Sequence, residues 1–375
     1  MAHPDWAHAA AMTALPACGS TTIAGLLLQY EPAEAYERAV HRSVQKLGRR
    51  IDVNGVPAGR SHVETVHDSC RMHDVRVSFL GDPGFPMSVM VHPDPCGVLF
   101  FRGDLDVLAS RRVGIVGTRT PTPSGVYTAR EIGEGLARAG VAVISGLAKG
   151  IDGAVHDGMR SAVDSSGATG RPVAVVGSGL DIVYPKSNAG LWEWVGCNGL
   201  LLSEHLPGVP AEPHHFPRRN RIIAALAEVV VVVESREKGG SMSTVRQAIE
   251  RQRDVLAVPG SPRVSSAAGT NLLIQQGCGV VTCAADILSV LSLDHVNHDI
   301  RDTRPTPEPA DVIVLEACSN GPVTLDQLVV TTGVDLARLA TALGRLQATG
   351  WVMEDGGWWE ALLLRRGRYT GDCIF

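Results

Sequence analysis

From Arg112 to Cys283 the chain repeats one pattern: a short, wholly apolar, β-branched run, then an amphipathic segment, then another run. The runs are VGIVG (113–117), VAVISG (141–146), PVAVVGSG (172–179), GLLLSE (199–204), EVVVVVES (228–235), DVLAVPG (254–260) and CGVVTC (278–283). They are too short for buried helices, and they lack the polar alternation of a half-exposed strand. They describe strands covered on both faces. The segments Tyr127–Ala139, Gly153–Val163, Asn220–Ala227, Thr244–Arg253 and Thr270–Gln276 read as the intervening helices. Repeated βα units of this kind predict an α/β fold built on a doubly wound, mainly parallel sheet.

In such a sheet ligands meet the loops beyond the carboxyl ends of the strands. Gly117, Thr118 and Arg119 follow the first run; Ser145 and Gly146 close the second, with Lys149 just beyond. Arg236, Lys238, Gly239, Gly240 and Ser241 follow the run of valines. Glycines, hydroxyls and free N–H groups at helix starts make anion cradles. The stretch FPRRNRIIAALAEVVVVVES adds Phe216, Arg218, Arg219, Asn220 and Arg221 before a predicted helix. Those cations have the wrong sign for a helix N-terminus. In a chain of formal net charge −5, an arriving anion would explain them. The overall acidity means that any polyanion site is local.

Each residue also has a plainer role open to it. An arginine here can pair with Glu204 or Glu234, Asn220 can cap a helix, and Phe216 beside Pro217 can staple one. Asp152 and His156, one helical turn apart, read as a structural hydrogen bond, and His214-His215 as an exposed loop pair. The dinucleotide fingerprint is absent: Gly177-Ser178-Gly179 is followed by Ile182 where the third glycine belongs. A P-loop sequence is missing too. The eight cysteines show no paired-ligand spacing, so no zinc set is expected, and with the dinucleotide fingerprint missing no cofactor is expected either. No stretch approaches the roughly 20 apolar residues of a membrane span, and the N-terminus lacks a secretion signal. A cytoplasmic protein is expected.

The motifs VGIVGTR, VISGLAKGIDGAVHDG, VAVVGSGLDIVYPKSN, LLLSEHLPG, FPRRNRIIAALAEVVVVVES, GGSMSTVRQAIERQRDVLAVPG and AGTNLLIQQG stand in this order. Together they resemble the DNA-processing protein DprA (Smf) family over about residues 80 to 290. The resemblance implies an extended Rossmann-like core that is not an enzyme. It also implies single-stranded DNA binding, protection of incoming DNA during natural transformation, loading of the RecA recombinase, and a homodimer. Carried over by residue, Gly117-Thr118-Arg119 is similar to the family's G-S-R loop. Phe216, Arg219, Asn220 and Arg221 match its F-P-x-R-N-R motif, with Arg218 at the variable position. Lys238-Gly239-Gly240-Ser241 is similar to its S-G-S loop. The expected roles are phosphate contacts for Arg119, Arg219, Arg221 and Lys238, and base stacking for Phe216.

The residue pattern also divides the chain, and the resemblance likens its two ends to domains found in that family. Residues 1–80 are expected to be a helical region similar to a helix-hairpin-helix or sterile-alpha-motif bundle, with a helical start at Thr22–Leu47. The core is placed at 81–293, a Pro-rich linker at 294–309 and a winged-helix-like domain at 310–362. Within that last domain Ala310–Cys318, Thr324–Val330 and Asp335–Gln347 read as helices, capped at Thr324 and Asp335, ahead of a hairpin turning at Asp355-Gly356-Gly357. Only Arg338 and Arg345 supply cations on its third helix, which is thin for a major-groove reader. Residues 363–375 read as a tail. The alternative function is a nucleotide-processing or nucleotide-sensing protein similar to the cytokinin-activating phosphoribohydrolases. Against it, Arg246 and Gln247 follow Thr244 where sugar chemistry needs an acid.

Overall fold

The computed structural model describes residues 3–16, 18–47, 61–90, 94–292, 304–319 and 321–362. Contacts divide the chain into two units: Met1–Pro121 with Thr128–Asp294, and Thr122–Tyr127 with His295–Phe375. The larger unit opens with four helices, α1 (Asp5–Met12), α2 (Ser20–Leu27), α3 (Pro32–Leu47) and α4 (His62–Met72). The predicted single helix over 22–47 is thus two, the second beginning at Pro32, whose fixed φ and missing N–H suit a first helical turn.

Nine strands form one sheet: β1 (Arg76–Phe79), β2 (Val98–Gly103), β3 (Arg112–Val116), β4 (Ala142–Ser145), β5 (Pro172–Val175), β6 (Leu200–Ser203), β7 (Val229–Val232), β8 (Asp254–Ala257) and β9 (Gly279–Val280). Their spatial order is β1-β2-β6-β5-β4-β3-β7-β8-β9. From β6 to β9 every pairing is parallel. Strands β1 and β2, which the apolar-run pattern did not mark, add an antiparallel edge. Helices α5 (Pro123–Arg138), α6 (Ile151–Ser166), α7 (Ala189–Asn198), α8 (His215–Leu226), α9 (Ser241–Glu250) and α10 (Ala268–Gln275) connect the parallel strands, and α11 (Ala284–Val290) follows β9.

The valine run became a central strand. Val229–Val232 lie between β3 and β8 and are at most 1% exposed, each contributing about 1.5 kcal/mol or more by burial. CGVVTC behaves differently, since only Gly279–Val280 are extended, at the sheet's edge, and both are exposed. The first helices share one apolar cluster with the sheet, from Ala7, Met12 and Ile23 to Leu99, Phe100 and Val175.

Chain order fixes where a ligand can enter. β3 through β6 march one way across the sheet, and α8 then carries the chain back so that β7 lies on the other side of β3. The winding direction therefore reverses between β3 and β7, which opens a crevice beyond their carboxyl ends.

The smaller unit contains α12 (Val312–Ser319), β10 (Val323–Thr324), α13 (Leu325–Thr332), α14 (Leu336–Ala348), β11 (Val352–Asp355) and β12 (Trp358–Ala361), with sheet order β10-β12-β11. Thr324 accepts from Gln327 N in a capping box, and Asp335 accepts from Arg338 N, so both expected caps are present. Gly356 and Gly357 make the hairpin turn with positive φ. Both cations of α14 already face acids: Arg345 donates to Asp311 at 2.6 and 2.9 Å, and Arg338 lies 3.4 Å from Asp335. Most of the expected linker and the whole expected tail, 363–375, lie outside the described residues.

Candidate nucleic-acid interface

The crevice at the reversal point is a cavity of about 710 Å³. Its lining comes from the loop after β3 (Gly117, Thr118, Arg119, Thr120), the loop after β7 (Ser235, Arg236, Lys238, Gly239, Gly240), and the facing sides of α8 and α9. Two backbone links hold the loops in register. Thr118 N donates to Glu234 O at 2.7 Å, and Ile151 N to Thr118 O at 3.2 Å. Gly117 has no room for a side chain, because a Cβ there would come within 2.5 Å of Ile151 Cγ1. Ser241 Oγ donates to Ser235 Oγ at 2.8 Å, tying the start of α9 to the end of β7.

Helix α8 begins at His215, five residues before the predicted start. That shift reassigns its residues. Positions 216, 219 and 220 are spaced i, i+3 and i+4 and share one face, whereas 219 and 221 point in different directions. Phe216, Arg219 and Asn220 accordingly line the cavity, and Arg221 does not. Asn220 is not an N-cap: it sits inside α8, donating to Ser243 Oγ at 2.7 Å and accepting from Arg219 Nε at 3.0 Å.

Arg221 is a correction to the sequence reading. Its side chain is 4% exposed and lies between Asp94, 2.9 Å from Nε, and Glu204. Burial opposes its charge, but Glu204, Cys96 and Asp94 outweigh that and raise its pKa. With two carboxylates in place, this guanidinium has no need of a phosphate. Ser145 is likewise internal, fully buried and donating to Ile115 O at 2.6 Å.

Arg219 is a strut in the cavity wall. It donates to Gly146 O at 2.6 Å and to Val175 O, joining the ends of β4 and β5, and stands 3.8 Å from Asp152. Burial pushes its pKa down to about 10, against the pull of Asp152, so it stays charged at neutral pH. Burial raises the Asp152 carboxyl, which Arg219 and the backbone N–H groups of Ala148 and Gly146 partly offset. The expected Asp152–His156 bond is absent: Asp152 accepts from Gly146 N at 3.2 Å, and His156 is fully buried elsewhere on α6.

The exposed cations that line this cavity are Arg119, Arg236, Lys238 and Arg246. Among the described residues none of the four has a carboxylate partner within ion-pair distance. Arg246 was missed as a site residue, although its spacing from Ser243, i and i+3 on α9, places both on one face. Beside them is an aromatic pair. Tyr184 and Phe216 have ring centroids 5.4 Å apart, and the Arg119 guanidinium lies 4.8 Å from the Phe216 ring. A smaller cavity of about 170 Å³ continues past Gly146, Lys149, Gly177 and Ser178.

This crevice lies inside a stretch, residues 76–292, that matches the family model described as DNA recombination-mediator protein A. The chain belongs to that family. It is 34% identical over 313 residues to Protein Smf of Synechocystis sp., covering 74% of this chain and 77% of that protein. It is 41% identical over 206 residues to DNA processing protein DprA of Bacillus subtilis, covering 55% and 67%. Among solved structures, DprA from Streptococcus pneumoniae superposes with a TM-score of 0.59 at 30% identity, covering 77% of this chain and 98% of that one. DNA processing protein A from Helicobacter pylori, a structure described for its single-stranded DNA binding mode, gives 0.52 at 27% identity, covering 58% and 97%. Among the described residues no helix is long and apolar enough to cross a membrane.

Proposed function

We propose that the chain binds single-stranded DNA in the β3/β7 crevice, with Arg119, Arg236, Lys238 and Arg246 on phosphates and Phe216 against a base. One observation carries the reading: four exposed cations without carboxylate partners surround hydroxyls, glycines and an aromatic pair at the sheet's reversal point. Backbone contacts and stacking together suit a strand read without sequence preference. Gly117, Thr118, Gly239, Gly240 and Ser241 supply the cradle between the cations. In this reading Arg219, Asn220 and Gly146 position the wall, while Ser145 and Arg221 lie behind it.

The acid inventory supports binding over hydrolysis. Asp152 is the one carboxylate among the cavity's lining residues, and it is engaged by Arg219 and Gly146 N. A glycosidic reaction on a nucleotide calls for a free acid and base in reach of the sugar. Membership in a recombination-mediator family supports the remaining steps: protection of incoming DNA, delivery of the strand to RecA, action as a homodimer, and a cytoplasmic site of work. The test is a titration of fluorescent oligo(dT) at several salt concentrations, with nucleoside monophosphate hydrolysis assayed alongside. Salt-dependent binding without hydrolysis is the expected result. Hydrolysis with no DNA binding overturns the reading in favour of a phosphoribohydrolase-like activity.

A further inference from the structure

The loop leading into α8 gathers side chains that the DNA reading leaves unused. One donor atom each from Glu212, His214 and His215 lies within 4.8 Å of the other two. His214 Nδ1 and Glu212 Oε2 are 3.3 Å apart. A tetrahedral Zn²⁺ with bonds of about 2.0–2.2 Å spaces its donors roughly 3.4 Å apart. The widest separation closes by turning the side chains of Glu212 and His214, both exposed.

The third residue, His215, is fixed in place by a hydrogen bond. His215 is 8% exposed, and its Nδ1 is 3.0 Å from Gly177 O. A carbonyl only accepts, so Nδ1 carries the proton and Nε2 keeps its lone pair. This is the hydrogen bond to a backbone carbonyl that holds metal-ligating imidazoles in place. His205 packs on the same ring with centroids 4.0 Å apart. A backbone turn, His215 N to Glu212 O at 3.0 Å, brings the acid back over the imidazole. The nearby cation, Arg218, is exposed to solvent.

We infer that Glu212, His214 and His215 form a binding site for a borderline divalent cation, Zn²⁺ foremost, that clamps the loop before α8 onto its first turn. Two imidazoles and a carboxylate suit Zn²⁺ and leave a position for water. The clamp would adjoin Phe216, the next residue along the helix. Metal binding is measured without DNA, so its outcome is independent of the function proposed above.

The experiment uses full-length, tag-free protein stripped of metal and titrated with Zn²⁺ against a chromophoric chelator. The expected result is one equivalent bound, with His214→Ala and Glu212→Gln each weakening it at least about tenfold. Both side chains are exposed, so these variants keep the fold. His67→Ala and Cys197→Ser remove donors elsewhere and should leave binding unchanged. No stoichiometric binding, full binding in both loop variants, or loss in either control overturns the inference.

Discussion

Lys238 and Arg221 both stand in stretches similar to family motifs, yet Lys238 is exposed on the cavity wall and Arg221 is buried between Asp94 and Glu204, so substituting each separates the roles proposed for them. If the four open cations each meet one phosphate, affinity for a single strand should fall with salt at a log–log slope of about −2.8. Between 50 and 200 mM salt that is a loss of roughly 50-fold. Lys238→Ala removes one contact, so the slope should relax to about −2.1 and the loss to roughly 20-fold. Arg221→Met should leave the slope where it was. Its cost appears in stability instead, because Glu204 (16% exposed) and Asp94 (39% exposed) lose their cation. That cost is about 3 kcal/mol, the low end for a broken buried pair, since water already screens Asp94. Fluorescence anisotropy of labelled oligo(dT) at four salt concentrations measures the slope, and denaturant unfolding measures the stability. A wild-type slope in Lys238→Ala, or a drop of equal size in folded Arg221→Met, would refute the assignment.

Three more outcomes can be checked. Phe216→Ala should weaken oligo(dT) binding by about 1–3 kcal/mol with no change in salt slope; a changed slope would mean that the ring acts by holding Arg119. Gly146→Ala should destabilise the fold by about 1–3 kcal/mol, because a Cβ there comes within 2.5 Å of Arg219 Nη1; an unaltered unfolding midpoint would contradict the strut. His156 is fully buried, and burial pushes its imidazole from 6.5 down to about 4. The unfolded chain therefore takes the proton first, and stability should fall by about 3 kcal/mol as pH drops from about 6.5 to 4. His156→Gln should flatten that part of the profile, and an unchanged pH dependence would rule His156 out as its source.

Much of the core could be read along the chain because both-face burial leaves a local mark. Val229–Val232 or Val173–Val175 can be little else than inner parallel strands. β1 and β2 left no such mark. RVSF has a polar residue at its exposed end and lies beside DPGFP, and VLFFRG stands alone rather than within a βα repeat. The loops of the candidate site were legible for a similar reason: Gly117-Thr118-Arg119 directly follows β3, and Lys238-Gly239-Gly240-Ser241 runs from the loop after β7 into the start of α9, where chain order alone predicts a ligand edge.

The arginines of α8 were legible in kind but not in direction. Sequence by itself determined the layered α/β plan, the sheet edge at which the cavity opens, and the presence of cations there, since composition and periodicity are local properties. Which cations line the cavity was decided by tertiary structure. Starting α8 at His215 turns Arg219 and Arg221 to different faces, and Asp94 and Glu204, distant in sequence from one another, converge on Arg221. A guanidinium's availability depends on whether carboxylates reach it first, and only the folded chain brings them within reach.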